Sequence, residues 1–305
     1  MEMYLSQDDV KSFVETQLSV WPLAKSNYDA LAHVERRVVD VGDLRCGIQW
    51  NPARIRSTGA VVDRDTILKR ECFLCRSNRP AEQCVLNIHS GWEMLVNPYP
   101  IFPIHLTIVS ESHVPQSDVP DDIVAISEKL PGMAVFFNGA KAGASAPDHM
   151  HLQAVLKDEL PLLRLVEKMH KSECSDLKTS MQFGINLPFL FFSGIVADDK
   201  DALQVMKSSF IIGGDDGSGK LRDAELKNVF FWIDDNALLR FVVVPRFAHR
   251  PACYYAEGDA QRIISPGCVD MAGLIITPLE KDFKQLSSDE ITKIYQEVAI
   301  PLDNV

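Results

Sequence analysis

The chain has 305 residues, 46% of them hydrophobic and 24% charged, which suits a water-soluble globular protein of one large domain or two closely packed ones. A formal net charge of −11 argues against a general nucleic-acid-binding surface and an anionic membrane partner, yet leaves room for a small phosphorylated substrate held by a few local arginines. Seven scattered cysteines, an acidic start at Asp8 and Asp9, and apolar stretches no longer than 187–192 read as a cytoplasmic protein without disulfide framework, secretion signal or membrane span.

In chain order, Ser6-Gln7-Asp8-Asp9 reads as a helix start, followed by Val10, Phe13, Val14 and Leu18 at helical spacing. Residues 37–41 and 44–50, joined around Gly42-Asp43, read as a hairpin. Residues 51–70 are irregular and basic, with Arg54, Arg56, Arg64, Lys69 and Arg70, and either line an anion site or form a solvated loop. A strand at 92–96 breaks at Asn97-Pro98-Tyr99-Pro100 and resumes at 104–109. An amphipathic helix follows at 121–130, a strand at 135–137 and, after the motif below, a helix at 160–171. Later strands are expected at 209–212, 229–233, 238–244 and 273–277, and a last helix at 288–298 capped by Ser287 or Ser288. Antiparallel strand runs mixed with helices predict an α+β fold, divided near residue 175 into halves 1–175 and 176–305.

The chemistry concentrates in His149-Met150-His151-Leu152-Gln153, just after the small-residue run Gly143-Ala144-Ser145-Ala146-Pro147. On an extended strand, His149, His151 and Gln153 share one face. Two imidazoles and a carboxamide beside a loop able to approach an anion suit nucleophilic attack on phosphorus, because imidazole forms a labile phosphoramidate. The competing reading is two ordinary strand histidines. Upstream, Cys72-Phe73-Leu74-Cys75 has the spacing of a zinc knuckle, with His113 and His149 available as further ligands; a redox pair or inert thiols are the alternatives. Arg240, Arg246, His249 and Arg250 cluster in RFVVVPRFAHRP as candidates for an acceptor phosphate or as structural ion-pair partners. The run from Gly213 to Lys220 looks superficially like a phosphate-binding loop, but Leu221 replaces the required hydroxyl residue and Asp215 and Asp216 would oppose phosphate. It reads as an exposed hairpin tip.

The stretches ECFLCRSN, NPYPIFPIHLTIVSESHVPQSDVP and FFNGAKAGASAPDHMHLQ resemble galactose-1-phosphate uridylyltransferase and its relatives. Those relatives include the diadenosine tetraphosphate and GDP-galactose phosphorylases, the nucleotidyltransferase branch of the histidine-triad superfamily. The late stretch VDMAGLIITPLEKDFKQLSSDEITKIYQEV is similar to the uridylyltransferase C-terminus. The resemblance implies a histidine-triad-like (HIT-like) antiparallel sheet with flanking helices, in a degenerate duplicated arrangement. It implies a structural zinc on Cys72, Cys75, His113 and His149, with His151 as nucleophile and Gln153 hydrogen-bonded to the nucleotidylated intermediate. Asn97 falls where relatives contact the nucleoside, though a turn residue before Pro98 is the plainer reading. Asn138, Gly143, Ala144 and Ser145 match the phosphate-approaching loop, and His105 either orients the nucleophile or is a satisfied core histidine.

The chain departs from these relatives by one additional residue between Ser145 and His149, by an extra acid at Asp148, and by lacking a second His-x-His pair. A second metal site is therefore not expected, and hexose recognition does not carry over. The implied activity is nucleotidyl transfer from a nucleoside diphosphate sugar or dinucleoside polyphosphate, through nucleotidyl-His151, to phosphate or a sugar phosphate. Gln153 in place of a third histidine leans towards transfer; hydrolysis and non-catalytic nucleotide binding are the alternatives. Relatives are often dimers, so a homodimer is the expected assembly.

Overall fold

The hydroxyl of Ser6 accepts from the Asp9 N–H while the Asp9 carboxylate accepts from the Ser6 N–H, and this capping box starts the first helix of the computed structural model, α1 (Gln7–Val20). The structure describes residues 4–59, 64–169, 178–179, 184–196, 211–212, 220–221 and 225–301. Pro22 then opens α2 (Pro22–Asp29), a helix that the sequence pattern did not signal. The hairpin β1 (Glu35–Val41) and β2 (Leu44–Trp50) forms as expected, with Gly42 at φ +58 in its turn. A Cβ at Gly42 would lie 1.9 Å from the Asn186 carbonyl oxygen, so glycine is required there by space as well as by backbone angle. The basic segment is less irregular than expected, containing α3 (Ile55–Thr58) and α4 (Arg64–Lys69).

The main sheet has nine strands in the order β3-β4-β5-β7-β6-β12-β13-β9-β8. Its first part is β3 (Leu86–His89), β4 (Trp92–Val96), β5 (His105–Ser110), β6 (Met133–Asn138) and β7 (His151–Leu156). Its second part is β8 (Lys178–Thr179), β9 (Phe192–Ile195), β12 (Lys227–Ile233) and β13 (Leu239–Pro245). All these pairings are antiparallel, and β6 joins β12 from Ala134↔Trp232 to Asn138↔Asn228. Strands from before and after residue 175 thus share one sheet, while residue 175 itself lies outside the described residues. β10 (Ile211–Ile212) and β11 (Lys220–Leu221) pair antiparallel on either side of 213–219; those residues, like 209–210 and 170–171, lie outside the described residues.

Alternation along the strands sorts the core into two faces. On one face Met133, Val135, Phe137, Leu152, Ala154, Val229 and Phe231 pack with Val10 and Val14 of α1 and with α5 (Ile123–Glu128). On the other, Ala134, Phe136, Val155, Phe230 and Trp232 meet α6 (Pro161–Met169), α8 (Glu280–Gln285) and α9 (Ser288–Val298). Ser287 caps α9 as anticipated. A three-stranded sheet lies on this second face, where β14 (Leu274–Thr277) runs parallel to β2 from Leu274↔Gly47 to Thr277↔Trp50. That parallel pairing joins the two ends of the chain and departs from the expected all-antiparallel arrangement. Short α7 (Cys268–Met271) precedes β14. Among the described residues, no helix is long and apolar enough to cross a membrane.

The motif strand therefore turns Leu152 and Ala154 to the α1/α5 face and His151 and Gln153 to the other. Leu152→Ala should destabilise the fold by about 2–5 kcal/mol, the usual cost of emptying a fully buried leucine site. Chemical unfolding measures it, and a change under ~1 kcal/mol would contradict this assignment of faces.

Candidate active site and metal centre

The knuckle is built by backbone bonds before any ion is considered. The Cys75 N–H donates to the Cys72 carbonyl at 3.3 Å, and Asn78 Nδ2 donates to the same oxygen at 2.9 Å. Arg79 Nε donates to the Leu74 carbonyl at 2.7 Å, while its guanidinium pairs with buried Glu93 on β4 and so fastens the knuckle to the sheet. Leu74 packs with Leu95, Val109 and Ala146 beneath it. The Cys75 thiol then lies 3.1 Å from His113 Nδ1, and the Cys72 thiol 3.3 Å from His149 Nδ1. The ligand atoms of Cys72, Cys75, His113 and His149 all lie within 4.8 Å of one another. Metal–ligand bonds of about 2.0–2.3 Å at tetrahedral angles need separations in this range.

His149 is also prepared on its far side. Its Nε2 donates to the Ser110 carbonyl at 2.8 Å, which leaves Nδ1 as the lone-pair nitrogen facing the thiols. Burial holds this imidazole below the usual range and so keeps it neutral, as a ligand must be. These four residues could hold a metal ion, as the family resemblance implied. One expectation is corrected: His149 is not a residue of the motif strand. β7 begins at His151, and His149 sits in the preceding turn, where its N–H donates to the Ala146 carbonyl at 3.2 Å.

His151 is 3% exposed, and its Nδ1 donates to the carbonyl of His149 at 2.8 Å. The tautomer follows, because a carbonyl only accepts; Nε2 is left unprotonated and carries the lone pair. Burial lowers the imidazole pKa and keeps the ring neutral. Gln116, which the sequence reading missed, clamps the backbone here. Its Oε1 accepts from the His151 N–H at 2.8 Å, and its Nε2 donates to the carbonyls of His151 and Asn138. No local signal marks it, since a polar residue between Pro115 and Ser117 reads as loop.

Two cavities meet at this point. The larger, about 440 Å³, is mostly apolar, walled by Trp21, Phe73, Leu74, Leu95 and Tyr99, and His151 lines it. Asn97 lines it too, while closing a turn by accepting from the Tyr99 N–H at 2.9 Å, so both of its expected roles are compatible with its position. The smaller, about 60 Å³, is polar, with Asn138, Gly143, Ala144, Ser145, His249 and Arg250 among its walls. Arg54, Ser145 and Gln153 belong to both cavities and mark their junction. Arg54 donates to the Tyr99 carbonyl at 2.6 Å, and its Nε is shielded from solvent without a protein partner. Burial pushes its pKa down to about 10, so it stays cationic at neutral pH.

The small-residue loop is shaped by close approach. Gly143 has φ +97, and a Cβ there would lie 2.5 Å from Gly267 Cα. Ala144 turns its N–H towards the Gly139 carbonyl at 3.4 Å, away from the expected phosphate-binding role for this amide. Asn138 Oδ1 accepts from the Cys268 N–H at 2.7 Å and from Asn228, so its carbonyl oxygen braces the loop. Asp148, in the turn before His149, is neutralised by Arg70, which also stacks on Phe73 at 4.9 Å.

The arginine cluster divides. Arg250 and His249 line the polar cavity; Arg250 donates to Ser265 Oγ at 2.9 Å and stacks over Tyr254 at 4.1 Å. Burial, with the charges of Arg250 and Arg246 beside it, pushes His249 down to about 4. Arg246 is wholly buried and does not line the cavity, a correction to its candidate role as an acceptor-binding residue. Its guanidinium donates to Asn228 Oδ1 and to the carbonyls of Val298, Pro266, Ala248 and His249. Arg240 is likewise committed, to buried Asp234.

Residues 13–156 match the family described as a domain of unknown function, DUF4922. No curated protein matches the sequence significantly. Among solved structures, the chain is similar to yeast Ap4A phosphorylase Apa2 in complex with Ap4A, with a TM-score of 0.60 and 15% identity over 96% of this chain and 98% of that one. The same yeast enzyme in complex with AMP gives a TM-score of 0.57 and 14% identity, over 93% and 97%. The α+β fold is thus shared with Apa2.

Arg246→Met should destabilise the protein by about 3 kcal/mol, because five buried acceptors lose a donor together. Thermal unfolding checks this, and an unchanged Tm would return Arg246 to the list of ligand-binding candidates.

Proposed function

We propose that the protein is a nucleotidyl-transferring phosphorylase that acts through a covalent nucleotidyl-His151 intermediate. The observation that carries this reading is the donation from His151 Nδ1 to the His149 carbonyl, which leaves Nε2 as the nucleophilic nitrogen of a ring lining the larger cavity. The lone pair on Nε2 attacks the α-phosphorus of a phosphoanhydride. A P–N bond forms, the P–O bond to the leaving group breaks, and a phosphate-terminated anion departs. The His149 carbonyl then faces an Nδ1–H made more acidic by nucleotidylation, so this hydrogen bond strengthens as positive charge develops on the ring. An oxygen of inorganic phosphate or a phosphate ester next attacks phosphorus, and the P–N electrons return to Nε2.

The apolar cavity suits the nucleoside, whose base can stack among Trp21, Phe73 and Tyr99. The polar cavity suits the leaving and accepting phosphates, with Arg54 at the junction and Arg250 beyond it. Ser145 at that junction and the nearby Gly143 suit the phosphate path as well. The fold likeness to Apa2 and the near-complete mutual coverage favour a dinucleoside polyphosphate as donor over a nucleotide sugar. Zinc on Cys72, Cys75, His113 and His149 is proposed as structural, since four protein ligands leave no position for substrate. We also propose that the chain is a fused, degenerate pair of HIT-like halves.

Incubation with Ap4A carrying an α-phosphate label should leave an acid-labile label on the wild-type protein and none on His151→Ala, with turnover falling at least ~10³-fold. Turnover by His151→Ala within tenfold of wild type would sink the nucleophile assignment. Consumption of phosphate in step with substrate separates phosphorolysis from hydrolysis. Elemental analysis should find one zinc per chain, lost in Cys72→Ser together with about 2 kcal/mol or more of stability. Full stability in a zinc-free Cys72→Ser protein would contradict a structural metal.

A further inference from the structure

The carboxamide of Gln153 has a direction that is imposed from outside the cavity. The Ile101 N–H donates to His105 Nδ1 at 3.2 Å. A backbone N–H can only donate, so Nδ1 is the bare nitrogen and Nε2 carries the proton. His105 Nε2 in turn lies 2.8 Å from the amide of Gln153. Only the carboxamide oxygen can accept there, because the NH2 group would set donor against donor. The Gln153 oxygen is therefore turned to His105, and the NH2 end is left for the junction between the two cavities.

The relay is rigid along its length. His105 is fully buried, its ring packs edge-on to Phe102 at 6.5 Å, and its carbonyl accepts from the Tyr28 hydroxyl and the Asn97 N–H. Burial, with Arg54 nearby, pushes this imidazole down to about 3, so the ring is neutral and the same tautomer persists across the neutral range.

We propose that His105 is a positioning residue for nucleotidyl transfer, holding Gln153 so that its NH2 group, not its oxygen, meets the phosphate transferred to His151. This rests on the reading of His151 as nucleophile. An amide turned by half a rotation would present oxygen lone pairs to an anionic phosphate and would leave the His105 N–H opposite another donor. The polarity of one backbone amide, at Ile101, is thereby passed through two side chains to the reacting centre.

His105→Phe keeps a planar ring and removes both nitrogens. In the full-length protein it should slow single-turnover formation of the nucleotidyl-histidine about 10²-fold, the usual scale for losing one preorganised donor, while AMP affinity changes by less than about threefold. In a Gln153→Ala background the same substitution should cost no further rate, because its effect passes entirely through that amide. Equal losses in the two backgrounds would overturn the proposal and leave His105 with a packing role. Folding of the variant is bypassed by ¹⁵N NMR of the wild-type histidines, which should show His105 as the neutral Nε2–H tautomer from about pH 8 to about pH 5. An Nδ1–H tautomer there overturns the proposal whatever the variants do. A wild-type protein that forms no adduct at all overturns the nucleophile reading, and this role with it; adduct formation with multiplicative losses overturns the His105 role alone.

Discussion

His149 faces two ways, and the rest of the site depends on it. Its ring points Nδ1 at the two knuckle thiols while its carbonyl accepts from His151 Nδ1. A metal on the ring would fix the turn that carries the carbonyl, and the carbonyl fixes the tautomer of the next histidine. The Ser110 carbonyl holds the far nitrogen of the same ring, so His149 has little freedom to relax without disturbing either partner. Gln116 supplies the second restraint by pinning the backbone of His151 on both its N–H and its carbonyl. The orientation of His151 is thus a matter of backbone hydrogen bonding on β7 and its approach, with side-chain packing in support.

A second constraint is direction. The side-chain orientations of His151 and Gln153 trace back to backbone groups that can only donate or only accept: the His149 carbonyl for one, the Ile101 N–H for the other. Neutral imidazoles make this possible, since a charged ring would donate from both nitrogens. Burial keeps His105, His149 and His151 neutral, so desolvation does the electrostatic work that a partner carboxylate does in many other histidine sites. The one acid close by in sequence, Asp148, is tied to Arg70 at the side of the site.

Legibility from the sequence followed the range of the interactions. Cys72 and Cys75 were readable as a pair from their local spacing, while His113 and His149 came as their partners only from the family resemblance, and the four do come together. The first hairpin and the last helix were readable from turn and capping signals. The role of Arg246 was not, because its acceptors are carbonyls from Ala248 to Val298 that no pattern links to it. Nor was the place of His149 outside the strand, since alternation describes a strand only once its start is known, and β7 starts two residues later. The parallel pairing of β14 with β2 joins positions more than two hundred residues apart and leaves no local trace.

That long-range pairing decides what a complete site requires. The family match ends at residue 156, where β7 ends, and includes the knuckle, the histidine strand and the residues that line the apolar cavity. The polar cavity is different: its far wall is His249, Arg250, Ser265, Gly267 and Asp270, all beyond the match. This wall is carried to the first half by three connections: β12 on β6, β14 on β2, and Cys268 on Asn138. Asp270 sits in it with its pKa pushed up to about 6 by burial, accepting from the Gly267 and Ile276 N–H groups, and its charge faces Arg54 from the first half. A fragment ending at residue 156 would keep the histidine motif and the knuckle and lose that wall. In such a fragment the unpartnered Nε of Arg54 and the back of the Gly143 loop would face water, where an exposed cation attracts phosphate far less strongly than a desolvated one. The second half therefore belongs to the polar cavity itself, and in the proposed reaction the phosphate side would depend on it as much as the orientation of His151 depends on His149.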